Sequence, residues 1–458
     1  MRFISVKVVA LLLAMGLLTA SAAAETMTLD DCIELALKRR ANIIIARGRE
    51  KQAGANQLAA LGRLLPNVRG NYTYTKSHDY DIVPGRAAAY RDTIFTTIIG
   101  SDTAKDAGSV PTSYRDKQDI GPNKSLSLDA SLDLINFSNW FSYSGSKGRH
   151  SSQHLASINS EQELIFDVKS AYYGYLRAVK SEEVNVQAVE RSKEQLKLVE
   201  SRYELGSAAY SDVLGQRVQY GNDRLELLRA QNTVTTSRAF LAYTIGLDPN
   251  REVDFATLDD VREYEGSLDD AVNFGIEHEP GLLSAKAEMN AGNNDVKAAL
   301  ANYIPNLSLF ARYTDFSGQQ AFPVAFDYSN KSTTIGFQIS YNIFDGFGRE
   351  RQVSSARITH NNSQATFSDT RNGVVQEIKT AYLNIQNQKE AVAVADETVK
   401  AAEEDIKIVQ ERYNLGAATI LDLLQAQEDL KRAQVSFINS KFDLNLAISR
   451  LENAMGKP

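Results

Sequence analysis

Apolar and polar residues alternate one by one in four short stretches of the sequence, two in each half of the chain. In the last of them, Ile335, Phe337 and Ile339 alternate with glycine and polar residues. Alternation over about ten residues is typical of a strand that has one apolar and one polar face. The sequence therefore predicts strands at about 67–77, 124–135, 306–315 and 333–344.

In a second pattern, apolar residues recur at every seventh position. It occupies the long proline-free stretches that run from the second strand of each half to Gly206 and Gly416. In the second half of the chain the repeat is unbroken and runs through Ile378, Ile385, Val392, Val399, Ile406 and Tyr413. A seven-residue repeat predicts helices that pack as coiled coils. A helix of about 65 residues is about 100 Å long, so such helices must pack side by side.

Each long helix is expected to end at the glycine of an Arg-Tyr-x-Leu-Gly motif. The motifs run from Arg202 to Gly206 and from Arg412 to Gly416. Glycine is the usual residue just after a helix, while Ser, Thr and Asp favour the next helix start. We expect Ser211-Asp212 and Thr419 to begin the following helices. Each half then contains a long helical hairpin with its tip at the glycine.

Both halves of the chain carry the same motifs in the same order, which indicates an internal duplication. Leu29 recurs as Leu268 and Arg202 as Arg412, so the offset falls from 239 to 210 and the first half holds 29 extra residues. We assign the extra residues to a polar loop at 78–123. The predicted domains are a first repeat at 25–246, a linker at 247–266 and a second repeat at 267–458.

Residues 1–24 are typical of a secretory signal, with Arg2 and Lys7 before an apolar stretch and small residues at 22–24. We therefore expect an exported chain. Its formal net charge of -7 argues against a nucleic-acid partner, and one cysteine excludes a disulfide scaffold. No nucleophile–base set or metal-ligand pattern stands at a motif spacing. We expect no enzyme activity, no cofactor and no metal.

Two functions remain open for an exported chain of this design. Outer-membrane barrels begin at about eight strands, and open sheet edges do not face lipid. If the four strands span a membrane, several copies of the chain must share one barrel. The alternative is a soluble periplasmic coiled-coil scaffold or adaptor protein whose strand faces are covered by protein.

The chain resembles the TolC-type outer-membrane efflux and secretion channels of Gram-negative bacteria. The resemblance rests on the duplicated Leu-Asp-Asp and hairpin motifs, on the strand entries Leu65-Pro66-Asn67 and Ile304-Pro305-Asn306, and on Asn342 to Gly346. It implies a mainly α fold with a small β part. Duplicated helical hairpins would form an α-helical barrel, and four strands per protomer would contribute to a shared trimeric β-barrel.

The function that the resemblance implies is a passive one. A homotrimer in outer-membrane lipid, with a large periplasmic portion, would serve as the exit duct of a tripartite efflux or type I secretion system. Its partners would be a periplasmic adaptor protein and an inner-membrane transporter of the RND, ABC or MFS type. The adaptor would dock on the hairpin tips at Arg202, Gly206, Arg412 and Gly416.

The resemblance also implies a gate at the periplasmic entrance. Asp422 matches the first acidic position of such entrances, and Gln425 occupies the second. Tyr413 and Asp212 match positions that link neighbouring hairpins, while the basic position that helps them is Ala418 here. The same residues can also be explained by helix structure alone. Asp422 and Asp212 are also suited to a helix start, and Tyr413 to the end of its apolar repeat.

Overall fold

A computed structural model describes residues 26–76, 78–82, 115–119, 122–251, 253–257, 262–321 and 325–457. The expected signal at 1–24 and most of the expected loop at 78–123 lie outside these residues. The described residues form eight helices and six strands. The helices are α1 (Leu29–Arg39), α2 (Ala41–Gly62), α3 (Phe137–Glu204), α4 (Tyr210–Thr244), α5 (Leu268–His278), α6 (Pro280–Ala301), α7 (Gly348–Asn414) and α8 (Ile420–Ala454). The strands are β1 (Asn67–Thr75), β2 (His78–Ile82), β3 (Arg115–Asp119), β4 (Asn123–Ile135), β5 (Asn306–Ala321) and β6 (Ala325–Ser340).

The chain divides into two compact units, each built from both halves of the sequence. A helical unit comprises Met1–Ala55, Lys147–Gly292 and Ile358–Pro458. A sheet unit comprises Asn56–Ser146 and Asn293–Arg357. The sequence repeats therefore do not correspond to the two compact units, because each repeat contributes to both.

Short helices at the start of each repeat begin with capping side chains. The backbone N–H of Asp31 donates to Thr28 Oγ1 at 3.3 Å, and that of Thr28 donates to Asp31 Oδ2 at 3.0 Å. At the second copy, Ser267 accepts from the Asp270 N–H at 3.2 Å. These contacts satisfy N–H groups that have no partner inside a helix. The duplicated Leu-Asp-Asp motif is thus the first turn of α1 and of α5.

The long helices have the lengths that the seven-residue repeats predict. Helix α3 has 68 residues and α7 has 67, while α4 and α8 have 35 each. The expected start of α4 at Ser211-Asp212 is wrong by one residue. The helix begins at Tyr210 after Ala209, which has no side-chain oxygen with which to cap it. Thr419 does cap α8, as its sequence suggests.

Each repeat has its own hydrophobic core in the helical unit. In the first repeat, Val168 and Tyr172 of α3 pack with Leu241 of α4 and Cys32 of α1. Burial raises the pKa of the Cys32 thiol to about 12, so the thiol is protonated at neutral pH. In the second repeat, the fully buried Ile378 and Ile385 belong to the cluster formed with α8.

The linker between the repeats lies against the helices of this unit. Met27 forms a bridge with Phe255, and the hydroxyl of Tyr172 donates to the carbonyl of Ala256 at 2.6 Å. Arg262 pairs with Glu452 of α8. Among the described residues of 247–266, no helix or named strand is present. The described part of the linker is thus irregular and is held against the helices by these contacts.

The sheet unit contains a four-stranded antiparallel sheet in the order β1-β4-β5-β6. The strands β2 and β3 form a separate two-stranded ribbon within the expected loop, so the loop prediction is wrong at both ends of 78–123. The ribbon begins with the pair His78 and Asp119, three residues after Thr75 and four before Asn123, so its register differs by one residue from that of the β1–β4 pairing.

The last strand ends earlier than predicted. β6 stops at Ser340, opposite Asn306, so residues 341–344 are not strand as expected. The partner strand begins there because Pro305 precedes it and has no N–H for a ladder bond. At the other end the hairpin is longer than predicted, with pairing up to Ala321 and Ala325.

One face of the four-stranded sheet is apolar and exposed. A row across all four strands joins Val68, Ala130, Ala311 and Ile335, and both Val68 and Ile335 are 71% exposed. The outer strands β1 and β6 each have one neighbour in this sheet. No helix in the described part of the chain is long and apolar enough to cross a bilayer.

A buried ion pair joins the two long hairpins. Lys431 Nζ of α8 lies 3.2 Å from Asp223 Oδ1 of α4, and their side chains are only 14% and 5% exposed. Gln219 also donates to this carboxylate at 3.2 Å, and Glu428 lies 2.7 Å from Lys431. Because both charges are shielded from water, removing one of them leaves the other poorly compensated.

We expect Asp223→Ala to lower the free energy of unfolding by about 3 kcal/mol, the low end for breaking a buried pair because Glu428 remains. Asp223→Leu with Lys431→Met should recover most of this loss. Urea unfolding of the wild type, of Asp223→Ala and of Asp223→Leu with Lys431→Met measures both effects. The matched control is Lys400→Met, whose pair with Asp396 is solvent-exposed and should not contribute measurably. Equal losses for Asp223→Ala and Lys400→Met would contradict the prediction.

Candidate functional site

The two hairpin tips close with the same backbone bonds. The N–H of Ser207 donates to the carbonyl of Arg202 at 2.8 Å, and that of Ala417 to Arg412 at 2.7 Å. Gly206 and Gly416 have φ angles of 76° and 75°, in the left-handed region that favours glycine. These bonds satisfy carbonyls at the helix ends. Gly206 and Gly416 are therefore required by the shape of each tip.

Four of the expected site residues of the two tips come together in one chain, whereas Asp422 and Gln425 do not line the same cavity. A cavity of about 690 Å³ is lined by both tips, including Arg202, Asp212, Tyr413 and Gly416. The guanidinium carbon of Arg202 lies 5.1 Å from the centre of the Tyr413 ring, within cation–π range. Arg202 also donates to Asn414 Oδ1 at 2.9 Å. Arg202 thus connects the first tip to the second.

Tyr413 is a core residue of the tips within one chain. Its side chain belongs to a cluster with Val199, Val213, Ile420 and Leu423 and is 8% exposed. Burial raises the pKa of its hydroxyl. The structure therefore places Tyr413 at the end of its apolar repeat, in contact with Arg202.

Asp422 both caps α8 and stays exposed. Its Oδ2 accepts from the N–H and the hydroxyl of Thr419, each at 2.8 Å, and its own N–H donates to Thr419 Oγ1 at 3.2 Å. These hydrogen bonds, first that of the backbone, hold the pKa of Asp422 below its ordinary value of 3.8. The carboxylate is thus ionised and accessible at neutral pH.

Gln425 lies one turn further along α8 and is also exposed. Its amide donates to Asp429 Oδ2 at 2.9 Å. Asp429 stands seven residues after Asp422, two helical turns away on the same side of α8. Asp429 was not predicted as a site residue from the sequence. Its spacing of seven residues from Asp422 was the available signal.

Arg412 and Asp212 occupy the surface of the tips. Arg412 donates to the carbonyl of Ala417 at 3.2 Å and closes its own turn. Asp212 lies in the first turn of α4, where an acid is favoured by the helix dipole. Two residues missed from sequence are the equivalent Leu205 and Leu415, whose side chains are 83% and 84% exposed. The repeat of an exposed leucine at the same motif position was the available signal.

In the described residues, no group of three or more His, Cys, Asp or Glu side chains is placed to hold a metal ion. The tips instead combine exposed leucines, a buried Arg–Tyr contact and an accessible carboxylate. Such a surface is suited to binding another protein and to attracting cations.

A protein family, several relatives and several solved structures are similar to this chain over most of its length. The model of the "Outer membrane efflux protein" family matches residues 109–247 and 275–457. "Outer membrane protein TolC" of Vibrio cholerae is 23% identical over 421 residues, which are 87% of this chain and 93% of that protein. "Proteases secretion protein PrtF" of Dickeya chrysanthemi is 22% identical over 446 residues, 94% of this chain and 89% of that protein. The crystal structure of the outer membrane protein VceC of Vibrio cholerae has a TM-score of 0.72 and 22% identity, and covers 94% of this chain and 96% of that one.

Proposed function

Because this chain belongs to the outer membrane efflux protein family, we propose that three copies of it form one passive exit duct across the outer membrane. The chain is an outer-membrane transport protein of a Gram-negative bacterium, with the fold of the TolC-type channels. The sheet unit serves as its part of the membrane barrel and the helical unit as its part of a periplasmic tunnel. No catalytic step is proposed.

One observation carries the proposal, the exposed apolar face of a sheet whose outer strands lack a second neighbour. In lipid each backbone N–H and C=O requires a partner, so β1 of one copy must pair with β6 of another. Four strands from each of three copies give twelve, which is within the range of closed outer-membrane barrels. The same face in a soluble periplasmic scaffold would require a protein cover.

The family and the names of its relatives support two kinds of partner. We propose that a periplasmic adaptor protein docks on the tips at Arg202, Gly206, Arg412 and Gly416, with the exposed Leu205 and Leu415 as apolar contacts. An inner-membrane transporter supplies the energy. Relatives such as PrtF, named for protease secretion, support type I secretion as one use of this duct.

Membrane fractionation and planar bilayers test the duct directly. We expect the mature chain in the outer-membrane fraction, as a heat-sensitive trimer in detergent that gives discrete conductance steps. A chain that stays soluble as a monomer without detergent would overturn the channel and support the scaffold.

We propose that Asp422, followed by Gln425, lines the gate at the periplasmic entrance. Tyr413 and Asp212 link the neighbouring hairpins there. The Asp422 carboxylates of three copies then form one acidic ring that attracts and binds divalent cations. We expect Asp422→Asn to raise the divalent concentration for half block of the conductance about tenfold. Block should weaken as the pH falls through the pKa of Asp422, because protonation removes the charge that holds the cation. The hydrogen bonds from Thr419 lower this pKa, and repulsion among the three carboxylates of the ring raises it.

A second capping box, at the start of α1, supplies the matched control for this experiment. Asp31 makes the same three hydrogen bonds with Thr28 as Asp422 makes with Thr419. Asp31→Asn should weaken its helix start equally and leave the divalent block unchanged. If both variants alter the block alike, or neither does, Asp422 is a helix cap and not part of the pore.

A further inference from the structure

The polar face of the four-stranded sheet carries three charged residues in one cross-strand row. Arg69 of β1 stands opposite Asp129 of β4, and Asp129 stands opposite Arg312 of β5. Residues directly opposite on neighbouring strands share a face. This row is one position away from the row of Val68 and Ile335, so it faces the other side of the sheet.

The row has an excess of positive charge. The carboxylate of Asp129 is paired with the Arg312 guanidinium and also accepts from Ser127 Oγ at 3.3 Å. Arg69 is exposed on the other side of this acid. Two guanidinium groups and one carboxylate leave one net positive charge per chain, because arginine stays protonated at any physiological pH.

Among the strand residues whose side chains are described, one further side chain on the polar face is charged at neutral pH. This is Asp133, four residues along β4 and therefore about 13 Å away. That distance exceeds the screening length of about 8 Å at physiological salt. Its carboxylate accepts from Asn136 Nδ2 at 2.9 Å and from Asn139 Nδ2 at 3.1 Å. Asp133 therefore does not neutralise the row.

The row lies in a concave surface with neutral donors beside it. A cavity of about 650 Å³ is lined by Arg69 and Arg312 together with the amide side chains of Asn67, Asn71 and Gln338. Guanidinium groups bind carboxylate and phosphate oxygens through paired N–H donors, and neighbouring amides add further donors.

We propose that this row, Arg69–Asp129–Arg312, is an anion-binding band in the bore of the barrel. It takes small anions and the carboxylate, sulfate or phosphate groups of cargo, and it favours their passage over that of cations. This deepens the proposed function and rests on it, because three copies bring six arginines and three aspartates into one bore. Binding is weak, because the site is open and wet.

Reversal potentials in a KCl gradient test the band. The ratio of chloride to potassium permeability should follow the charge of the row: highest in Asp129→Asn, lower in the wild type, lower in Arg69→Gln and lowest in Arg69→Gln with Arg312→Gln. We expect about a threefold change for each charge. Arg69→Lys keeps the charge and should keep the wild-type ratio, which separates a charge effect from misfolding.

The matched control is Lys124→Gln, a cation on the opposite face of the same sheet, in the row of Tyr74. It should leave the permeability ratio unchanged. A ratio that is equal in the wild type and Arg69→Gln, or an equal shift in Lys124→Gln, overturns the band while the duct itself stands. Wild-type protein without any conductance overturns both the band and the duct.

Discussion

Ile335→Lys should remove the protein from the outer membrane without unfolding the chain in detergent. Ile335 lies on the apolar face, in the row with Ala311, Ala130 and Val68. As a residue that is 71% exposed, it should tolerate lysine in water within about 0.5 kcal/mol. Facing lipid, lysine costs up to about 4 kcal/mol in each copy, or up to about 12 kcal/mol in a trimer.

The amount of heat-sensitive trimer in the outer-membrane fraction measures this effect. Thr334→Lys is the matched control, because the neighbouring residue on β6 faces the polar side of the sheet, in the row of Asp129 and Arg312. It should assemble nearly as well as the wild type. Equal assembly of the Ile335→Lys and Thr334→Lys proteins would show that lipid does not cover the apolar face.

Gly456→Ala should be the most damaging small substitution in the helical unit. Gly456 follows α8 with a φ of 76°, where a side chain costs about 1–2 kcal/mol. A Cβ there would also lie 2.8 Å from the Cα of Glu279 and 2.9 Å from the carbonyl oxygen of His278. These neighbours are backbone atoms and cannot turn aside. We expect a total loss of about 3–5 kcal/mol in the free energy of unfolding.

Chemical unfolding followed by circular dichroism measures this loss. Gly373→Ala in α7 is the control, since no atom lies within 4 Å of its added methyl group. That substitution should stabilise the helix by up to about 1 kcal/mol, because alanine is the better helix former. A Gly456→Ala protein as stable as the Gly373→Ala protein would show that α8 ends without this close contact.

Features that depend on a few neighbouring residues were predictable from sequence. The capping boxes at Thr28 and Thr419 and the glycine turns are each complete within about six residues. Features that depend on distant partners were not. The polar alternation of β5 is interrupted by Phe310, and the reason lies across the sheet, where the ring covers Gly336. The end of β6 likewise depends on where its partner strand begins.

The same distinction applies to the tips. Gly206, Gly416 and Asp422 could be placed on their turns from the motifs alone. The contact of Arg202 with Tyr413 could not, because the two residues are far apart in sequence and meet only after both hairpins fold. One hint was present in the motif itself, since Asn414 stands where the first copy has Glu204, and Asn414 accepts the bond from Arg202.

The buried thiol of Cys32 makes the native protein suitable for site-directed labelling. The sequence contains one cysteine, and its thiol is shielded and has a pKa raised to about 12. Maleimides react with the thiolate, so this thiol should stay unlabelled at neutral pH. A cysteine introduced at the exposed Leu415 can then carry a spin label or fluorophore alone. Distances between such labels in an assembled duct would report tip opening without any background substitution.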